Sequence, residues 1–225
     1  MRKSLNRMIL LIIALLLSVS AASASNFLGK LSLSLDAAGT LSLDGNYAQS
    51  LKLNDIVNFG PGFDLGLRYD ISKNFVLEAD YRYSWLPLKQ DRRPYAFRDM
   101  SPAFVLSMFM LNGTLFLRSD YNIEPFFTLG CGLCPWRFSE DGPTGETWKA
   151  PYNTEQFFSK TSFGFNAGIG LEISIWSHVS ATVGVRYYYV FTRDVEKFGT
   201  DNFGQQDFLG INIGISYRLG KRSEA

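Results

Sequence analysis

The chain has 225 residues, with 22 lysines and arginines, 21 aspartates and glutamates and one histidine, so its formal net charge is +1. Aromatic residues make up 15% of it, including 19 Phe and 11 Tyr. The balanced charge excludes a strongly basic nucleic-acid binder, and the composition predicts one domain with much aromatic surface to cover.

The first 24 residues are predicted to be a secretory signal peptide. Arg2, Lys3 and Arg7 form a basic start, residues 8–19 are apolar, and residues 22–24 are an A-x-A cleavage pattern. Because this apolar run is too short for a hydrocarbon core of about 30 Å, an uncleaved anchor is disfavoured. Cleavage before Ser25 leaves one domain, residues 25–225, with 19 basic and 21 acidic residues.

Apolar and polar residues alternate with a period of two through the rest of the chain, which predicts strands. The connections are alternately long and short. An up-and-down barrel, with long loops at one end and tight turns at the other, has this arrangement. In chain order the segments are 31–44, 62–69, 75–85, 103–118, 124–138, 163–175, 179–192 and 209–219. The short connections are 70–74, 118–123 and 176–178, and the long ones are 45–58, 87–101, 139–160 and 194–206.

The fourth segment, residues 103–118, fits the alternation least well. It is apolar on both faces over residues 104–111, and it contains Asn112-Gly113, a strong hairpin dipeptide. Because residues 118–122 make a better turn, we interpret the segment as one long strand and leave its inward face open.

The amount of apolar surface decides which face of the barrel is outside. The apolar faces of the other seven strands hold 35 large apolar residues. An eight-stranded barrel interior is only just wide enough for side chains to fill, so a soluble, lipocalin-like barrel with this face inward is disfavoured. The apolar face is therefore predicted to meet lipid, which requires a closed barrel because an open sheet edge is not satisfied in hydrocarbon.

Aromatic residues near the strand ends are typical of the two interfacial girdles of transmembrane barrels. At the long-loop end we expect Tyr83, Trp85, Trp136, Tyr189 and Phe191. At the short-turn end we expect Tyr69, Phe75, Trp176 and Tyr217.

Two local motifs carry a family resemblance. The fifth strand reads IEPFFTLGCGL from Ile123, and the last strand carries Asn212-x-Gly214-x-x-Tyr217-x-Leu219. Over residues 27–219 the chain resembles the small eight-stranded outer-membrane barrels of Gram-negative bacteria, the OmpA-, OmpX- and OmpW-like group. In that group the last pattern is the signal read by the barrel assembly machinery, although it usually ends the chain, whereas residues 220–225 follow it here.

The resemblance implies an all-β, eight-stranded antiparallel up-and-down transmembrane β-barrel in the bacterial outer membrane. Short turns would face the periplasm and long loops the exterior. The implied partners are outer-membrane lipid, lipopolysaccharide and the barrel assembly machinery. The fold hosts several functions, so function needs its own argument.

Eight charged residues lie on the polar faces, four of each sign. Because buried charges need partners, and arginine pairs with carboxylates through its planar fork, we predict an ion-pair network that fills the lumen. A charged pore or a paired-carboxylate active site is disfavoured, because the barrel is narrow. The predicted members are Asp64, Arg68, Glu78, Asp80, Arg82, Glu172, Arg186 and Arg218.

The long loops are the expected contact surfaces. In the loop 139–160 an exposed Trp148, with Tyr152 nearby, would suit a host, phage or envelope-protein partner. In the loop 87–101 basic side chains would pair with lipopolysaccharide phosphates. These are Lys89, Arg92, Arg93 and Arg98.

The residues most often used in catalysis are poorly placed for it. His178, the one histidine, falls in a short turn, whereas the lipid-A deacylases and omptin-like proteases of this barrel type use a histidine near the extracellular rim. Cys131 and Cys134 lie about 10 Å apart in a regular strand, beyond the roughly 7 Å limit of a disulfide. We predict free thiols, with Cys131 toward lipid and Cys134 inward, and no metal or cofactor.

The sequence thus favours a non-enzymatic outer-membrane barrel with an envelope-structural or surface-interaction role. The first alternative is a narrow, OmpW-like channel for small hydrophobic or amphipathic solutes, lined by the fourth strand. The second is a lipid-modifying enzyme, disfavoured by the position of His178.

Overall fold

Eight long antiparallel strands close into a barrel. The computed structural model describes residues 30–48, 51–92, 99–117, 122–150, 153–194 and 203–220, so the predicted signal peptide lies outside the described residues. The barrel strands are β1 (Leu31–Asp44), β4 (Gly60–Asp70), β5 (Phe75–Pro87), β6 (Ala103–Phe116), β7 (Ile123–Ser139), β10 (Ser159–Trp176), β11 (Val179–Val190) and β12 (Gln206–Arg218).

Each barrel strand pairs with its neighbours in the chain, and β1 closes the barrel by pairing with β12. In this closing pair Leu33 lies opposite Tyr217 and Leu41 opposite Leu209. The predicted all-β, up-and-down barrel is therefore confirmed. We call its two ends the short-turn end and the long-loop end.

Short secondary-structure elements lie in the loops at the long-loop end. The first loop forms a hairpin of β2 (Asn46–Ala48) and β3 (Leu51–Lys52) and one helical turn, α1 (Leu53–Ile56). The third loop forms a hairpin of β8 (Lys149–Ala150) and β9 (Asn153–Phe157). A 3-10 turn, Gln90–Arg92, lies in the second loop. Within the described residues no helix is long and apolar enough to cross a membrane.

The outer wall is apolar, as predicted from the amount of apolar surface. Its side chains alternate with those of the lumen along every strand. Glycines on the lumen side make room for long neighbours: a Cβ added to Gly210 would lie 2.5 Å from the Arg82 guanidinium. Small residues therefore stand opposite large ones inside this narrow barrel.

The fourth predicted strand, β6, now has a defined face. Asn112-Gly113 lies within the strand and makes no hairpin there. The even-numbered residues of β6 are buried in the lumen, whereas Phe109, Leu111 and Leu115 are exposed on the wall.

One expected girdle residue was wrongly placed. Trp136 is buried in the lumen and donates a hydrogen bond from its indole N–H to Ser162 Oγ over 3.0 Å. The alternation that puts Cys134 inward also puts Trp136 inward, two residues further along β7.

Candidate functional site: the barrel lumen and the loops above it

Three layers of side chains fill the lumen from the short-turn end to the long-loop end. The floor is a small apolar cluster of Val76, Phe116 and Phe126. Above it lies a polar layer, which we call the central network. Its members are Asp64, Arg68, Glu78, Asp80, Arg82, Glu172 and Arg186. Above that lies an apolar layer, which we call the aromatic cluster. Its rings are Phe104, Trp136, Phe138, Trp148, Phe158, Tyr188, Phe203 and Phe208.

Two arginines of the central network bridge carboxylates on different strands. Arg68 on β4 pairs with Glu172 on β10 at 2.7 Å and lies 4.0 Å from Glu78 on β5. Arg186 on β11 pairs with Glu78 at 3.1 Å and also with Asp80. These ion pairs cross the lumen, so they tie opposite walls of the barrel together.

Arg82 forms the top of the central network, and its side chain is only 1% exposed. Its guanidinium donates to Asp64 Oδ2 at 3.4 Å, to the Tyr188 hydroxyl at 2.9 Å and to the Gly39 carbonyl at 2.9 Å. It also lies over the Tyr188 ring, 5.1 Å from the centroid. Arg82 therefore joins the polar layer to the aromatic cluster above it.

Amides extend the network at the level of β6. The Asn112 amide donates to Asp80 Oδ2 at 2.9 Å, and the Asn166 amide donates to Asn112 Oδ1 at 2.7 Å. Between the network and the floor the structure encloses a cavity of only about 10 Å³. That is about one water-sized sphere, so the polar layer leaves little open space.

Asp36 is an inward carboxylate that the sequence reasoning left out of the network. It lies directly opposite Asp64 on the neighbouring strand. Among the described residues it has no ion-pair partner, and it accepts one hydrogen bond, from the Asn212 amide at 3.3 Å. The same period-two alternation that predicted Asp64 would have found it.

Arg218 stands apart from the residues with which it was grouped. It lies at the short-turn rim and pairs with Asp70 at 3.1 Å, both side chains being about one-fifth exposed. The structure thus brings seven of the eight predicted residues together and leaves Arg218 outside.

The aromatic cluster takes its members from both the strands and the loops. Phe104, Trp136 and Phe208 come from barrel strands, and the Phe104 and Phe208 rings stack at 5.9 Å. From the loops come Leu53, Ile56, Trp148, Phe158 and Phe203. The sequence predicts an ion-pair network in the lumen and leaves the inward face of the fourth strand open. The apolar layer was not predicted, because apolar residues on both faces were recognised only in that strand.

Trp148 corrects the expectation of an exposed contact residue, because only 5% of it is accessible. Its ring stacks on Phe138, with the centroids 5.5 Å apart, and Phe138 stacks in turn on Phe158 at 4.6 Å. Tyr152 lies outside the described residues. Among the described residues of this loop, Phe157 is an exposed aromatic: it is 53% accessible, and the Lys149 ammonium lies 4.3 Å from the centre of its ring.

The remaining candidate residues lie apart from one another and form no common site. Cys131 is exposed on the wall and Cys134 is buried in the lumen, both as free thiols. His178 lies in the turn between β10 and β11 at the short-turn end, with its ring 6.2 Å from that of Tyr217. Lys89 donates to the Asn54 carbonyl at 2.9 Å, and Arg92 is exposed beside Asp91. Arg93 and Arg98 lie outside the described residues.

The four residues of the expected assembly signal divide between the two faces of β12 and its end. Asn212 and Gly214 face the lumen, where a Cβ added to Gly214 would lie 1.7 Å from Asp36 Oδ1. Tyr217 and Leu219 are exposed on the wall. Gly214 thus has a packing role beside Asp36, and recognition by the assembly machinery stays a prediction.

No metal-binding arrangement occurs in the part of the chain that the structure describes: no three His, Cys, Asp or Glu side chains are grouped to hold an ion. Among the described residues, the lumen holds mostly paired charges toward the short-turn end and packed rings toward the long-loop end.

A closed, lipid-facing barrel of eight strands with a filled lumen is the architecture of the small outer-membrane proteins. Residues 9–218 match the family described as outer membrane protein beta-barrel domain, and the chain belongs to that family. The protein accordingly resides in the bacterial outer membrane, with its short-turn end toward the periplasm and its long-loop end outside.

Several solved structures are similar to this chain, and the first of them supports the fold. Neisserial surface protein A is 14% identical, with a TM-score of 0.58, covering 84% of this chain and 96% of that one. OprG from Pseudomonas aeruginosa is 14% identical, with a TM-score of 0.48, covering 85% and 97%. Ail, the attachment invasion locus protein of Yersinia pestis, is 13% identical, with a TM-score of 0.48, covering 84% and 97%. Among curated proteins no sequence matches significantly.

Proposed function

We propose that the protein is a non-enzymatic outer-membrane barrel that presents a fixed contact surface to a host, phage or envelope-protein partner at its long-loop end. The observation that carries this proposal is the anchoring of the loops. The first, third and last loops each place side chains in the aromatic cluster, namely Leu53 and Ile56, Trp148 and Phe158, and Phe203.

Anchored loops suit recognition because a surface that is already ordered loses little conformational entropy on binding. On the third loop the anchor Trp148 points inward, which leaves Phe157 and the acidic residues Asp141 and Glu146 exposed. The Lys149 ammonium lies over the Phe157 ring, and aromatic side chains are common anchors of protein contacts.

Site-specific cross-linking on intact cells tests this surface. A photoreactive phenylalanine analogue at position 157 is expected to give a discrete cross-linked product with the partner. The same analogue at position 165, on the lipid-facing wall, is the matched control because Phe165 is similarly exposed. The product should weaken in the Trp148→Ala variant, which keeps Phe157 but loses its anchor. Equal products at positions 157 and 165 would contradict a specific loop surface.

The filled lumen argues against a role as an open pore. We expect no steady conductance from the purified protein in planar bilayers, because crossed ion pairs and packed rings occupy the path. A stable ion conductance that copurifies with the folded barrel would overturn the closed lumen.

A second candidate is a channel for small apolar solutes. It is favoured by the inward face of β6, where Phe104, Leu106, Met108 and Met110 are all buried in the lumen. Uptake of a small apolar dye into vesicles would support it if the Phe203→Ala variant took up more dye than the wild type. Equal uptake by protein-free vesicles would exclude it.

Lipid modification is the third candidate and has the least support, since His178 lies at the periplasmic end. A mass shift of lipid A on expression would revive it.

A further inference from the structure

A groove of about 640 Å³ crosses the outer wall of the barrel over β12, β1, β4 and β5. It exists because Ala79 interrupts a row of larger side chains: it lies between Leu67 on β4 and Leu111 on β6. Its other walls are Leu33, Leu35, Leu65, Tyr81, Ile215 and Tyr217. The groove is therefore a long apolar depression in a surface that faces hydrocarbon.

The depth of the groove places it in the periplasmic leaflet. Ala79 is four residues from Phe75, where β5 begins, which is roughly 13 Å along the strand and roughly 10 Å in depth after tilting. Each leaflet contributes about half of a hydrocarbon core of roughly 30 Å. The groove thus lies at the level of the acyl chains, with Tyr217 toward the interface.

Two exposed lysines lie below the groove at the membrane surface. Lys30 immediately precedes β1, and Lys73 lies in the turn between β4 and β5. Lys30 is held beside that turn, because its carbonyl accepts a hydrogen bond from the Asp70 N–H at 2.8 Å. The Asp70 carboxylate is already paired with Arg218. Positive charge at this level attracts anionic lipid head groups.

We propose that this groove seats one acyl chain of an anionic phospholipid from the periplasmic leaflet, with its phosphate held by Lys30 and Lys73. A second copy of the chain is a poorer occupant. A symmetric dimer through this face would bring the same two lysines toward their own copies, and like charges would oppose it. The proposal concerns the outer wall, so it stands or falls separately from the partner of the loops.

Native mass spectrometry of the protein, extracted in detergent with added phosphatidylglycerol, tests whether the groove binds this lipid. Ala79→Phe fills the groove with a ring and is expected to lower retention of phosphatidylglycerol about tenfold. Val183→Phe is the matched control, since Val183 is also exposed on the wall and also lies four residues from the start of its strand, β11. Ala79→Leu is the second variant if the ring disturbs folding, and it should give a smaller loss of the same sign.

The head-group contact has its own test. Reversing both charges, in the double variant Lys30→Glu and Lys73→Glu, should lower retention about thirtyfold or more. Lys149→Glu, at the opposite end of the barrel, should leave it unchanged. Retention equal to wild type in both Ala79 variants would overturn the seat, and so would a protein dimer that Ala79→Phe dissociates. Retention unchanged by the double charge reversal would overturn the assigned phosphate contact.

Discussion

In the short-turn half of the lumen three arginines meet carboxylates from several strands, whereas in the long-loop half many inward positions carry Phe, Trp, Leu and Met. Side chains fill both halves of the lumen, but different interactions hold them in place. Ion pairs and hydrogen bonds are directional and need fixed partners. Apolar packing is non-directional and depends mainly on volume and shape.

This difference separates two tasks. Every member of the central network lies on a barrel strand, so the network fixes the walls relative to one another. The aromatic cluster takes Leu53, Trp148 and Phe203 from loops, so it fixes the loops relative to the walls. A substitution in a loop can keep the loop anchored if the new side chain is apolar and of suitable size. A substitution in the central network removes a specific partner of a buried charge, so few substitutions are tolerated there.

Removing an arginine from the network should therefore have the largest effect. Arg186→Met leaves Glu78 and Asp80 buried without their main partner. We expect the free energy of unfolding to fall by about 3–5 kcal/mol, measured by denaturant titration of the refolded barrel in micelles.

Arg218→Met is the matched control, because its ion pair lies at the rim and is about one-fifth exposed. It should cost less than about 1 kcal/mol. Equal effects of the two variants would mean that burial of the central network contributes nothing to its strength.

Truncating a ring at the centre of the aromatic cluster should have the next largest effect, and it should reach the loops. Phe138 stacks on both Trp148 and Phe158, so Phe138→Ala removes the support of the third loop. We expect a loss of about 3 kcal/mol and faster proteolysis within residues 140–158.

Phe165→Ala, a truncation on the lipid-facing wall, serves as the control and should leave proteolysis of this loop unchanged. If Phe138→Ala also leaves it unchanged, the cluster does not anchor the loop.

The barrel was predictable from the sequence because period-two alternation and alternating connection lengths are local signals. The central network followed from the same alternation, since each inward charge must find a partner in a narrow space. The position of Arg218 outside the central network was not predictable, because the alternation does not show where along β12 the lumen ends and the rim begins. The aromatic cluster was only partly predictable. The alternation that places Cys134 inward also places Trp136 inward, whereas no periodicity indicates where a loop residue such as Trp148 packs.

Replacing a glycine that faces the central network by alanine, the smallest possible enlargement of its side chain, should lower the free energy of unfolding. Gly210→Ala places a methyl group against the Arg82 guanidinium, which its bonds to Asp64 and Tyr188 hold in place. We expect a cost of about 1–2 kcal/mol in the same unfolding titration.

Gly113→Ala tests the contrast on the wall, where the added methyl group meets only the far end of the Phe75 ring. It should be close to neutral. A larger cost at Gly113 than at Gly210 would show that wall packing, rather than the lumen, limits this barrel.

The smallest change in the free energy of unfolding is expected for a substitution of Asp36. The informative result is whether this free energy rises or falls. Among the described residues no arginine lies within ion-pair distance of Asp36, and Asp64 lies directly opposite. An isolated buried carboxylate is costly, so Asp36→Asn should leave the free energy of unfolding unchanged or raise it by about 1 kcal/mol. Asp80→Asn has the same shape change but weakens the pairing with Arg186, and it should be destabilising. The two variants, compared in one denaturant titration, separate paired from unpaired charge inside the same layer. If Asp36→Asn proved as destabilising as Asp80→Asn, the Asp36 carboxylate would have to be counted as a full member of the central network.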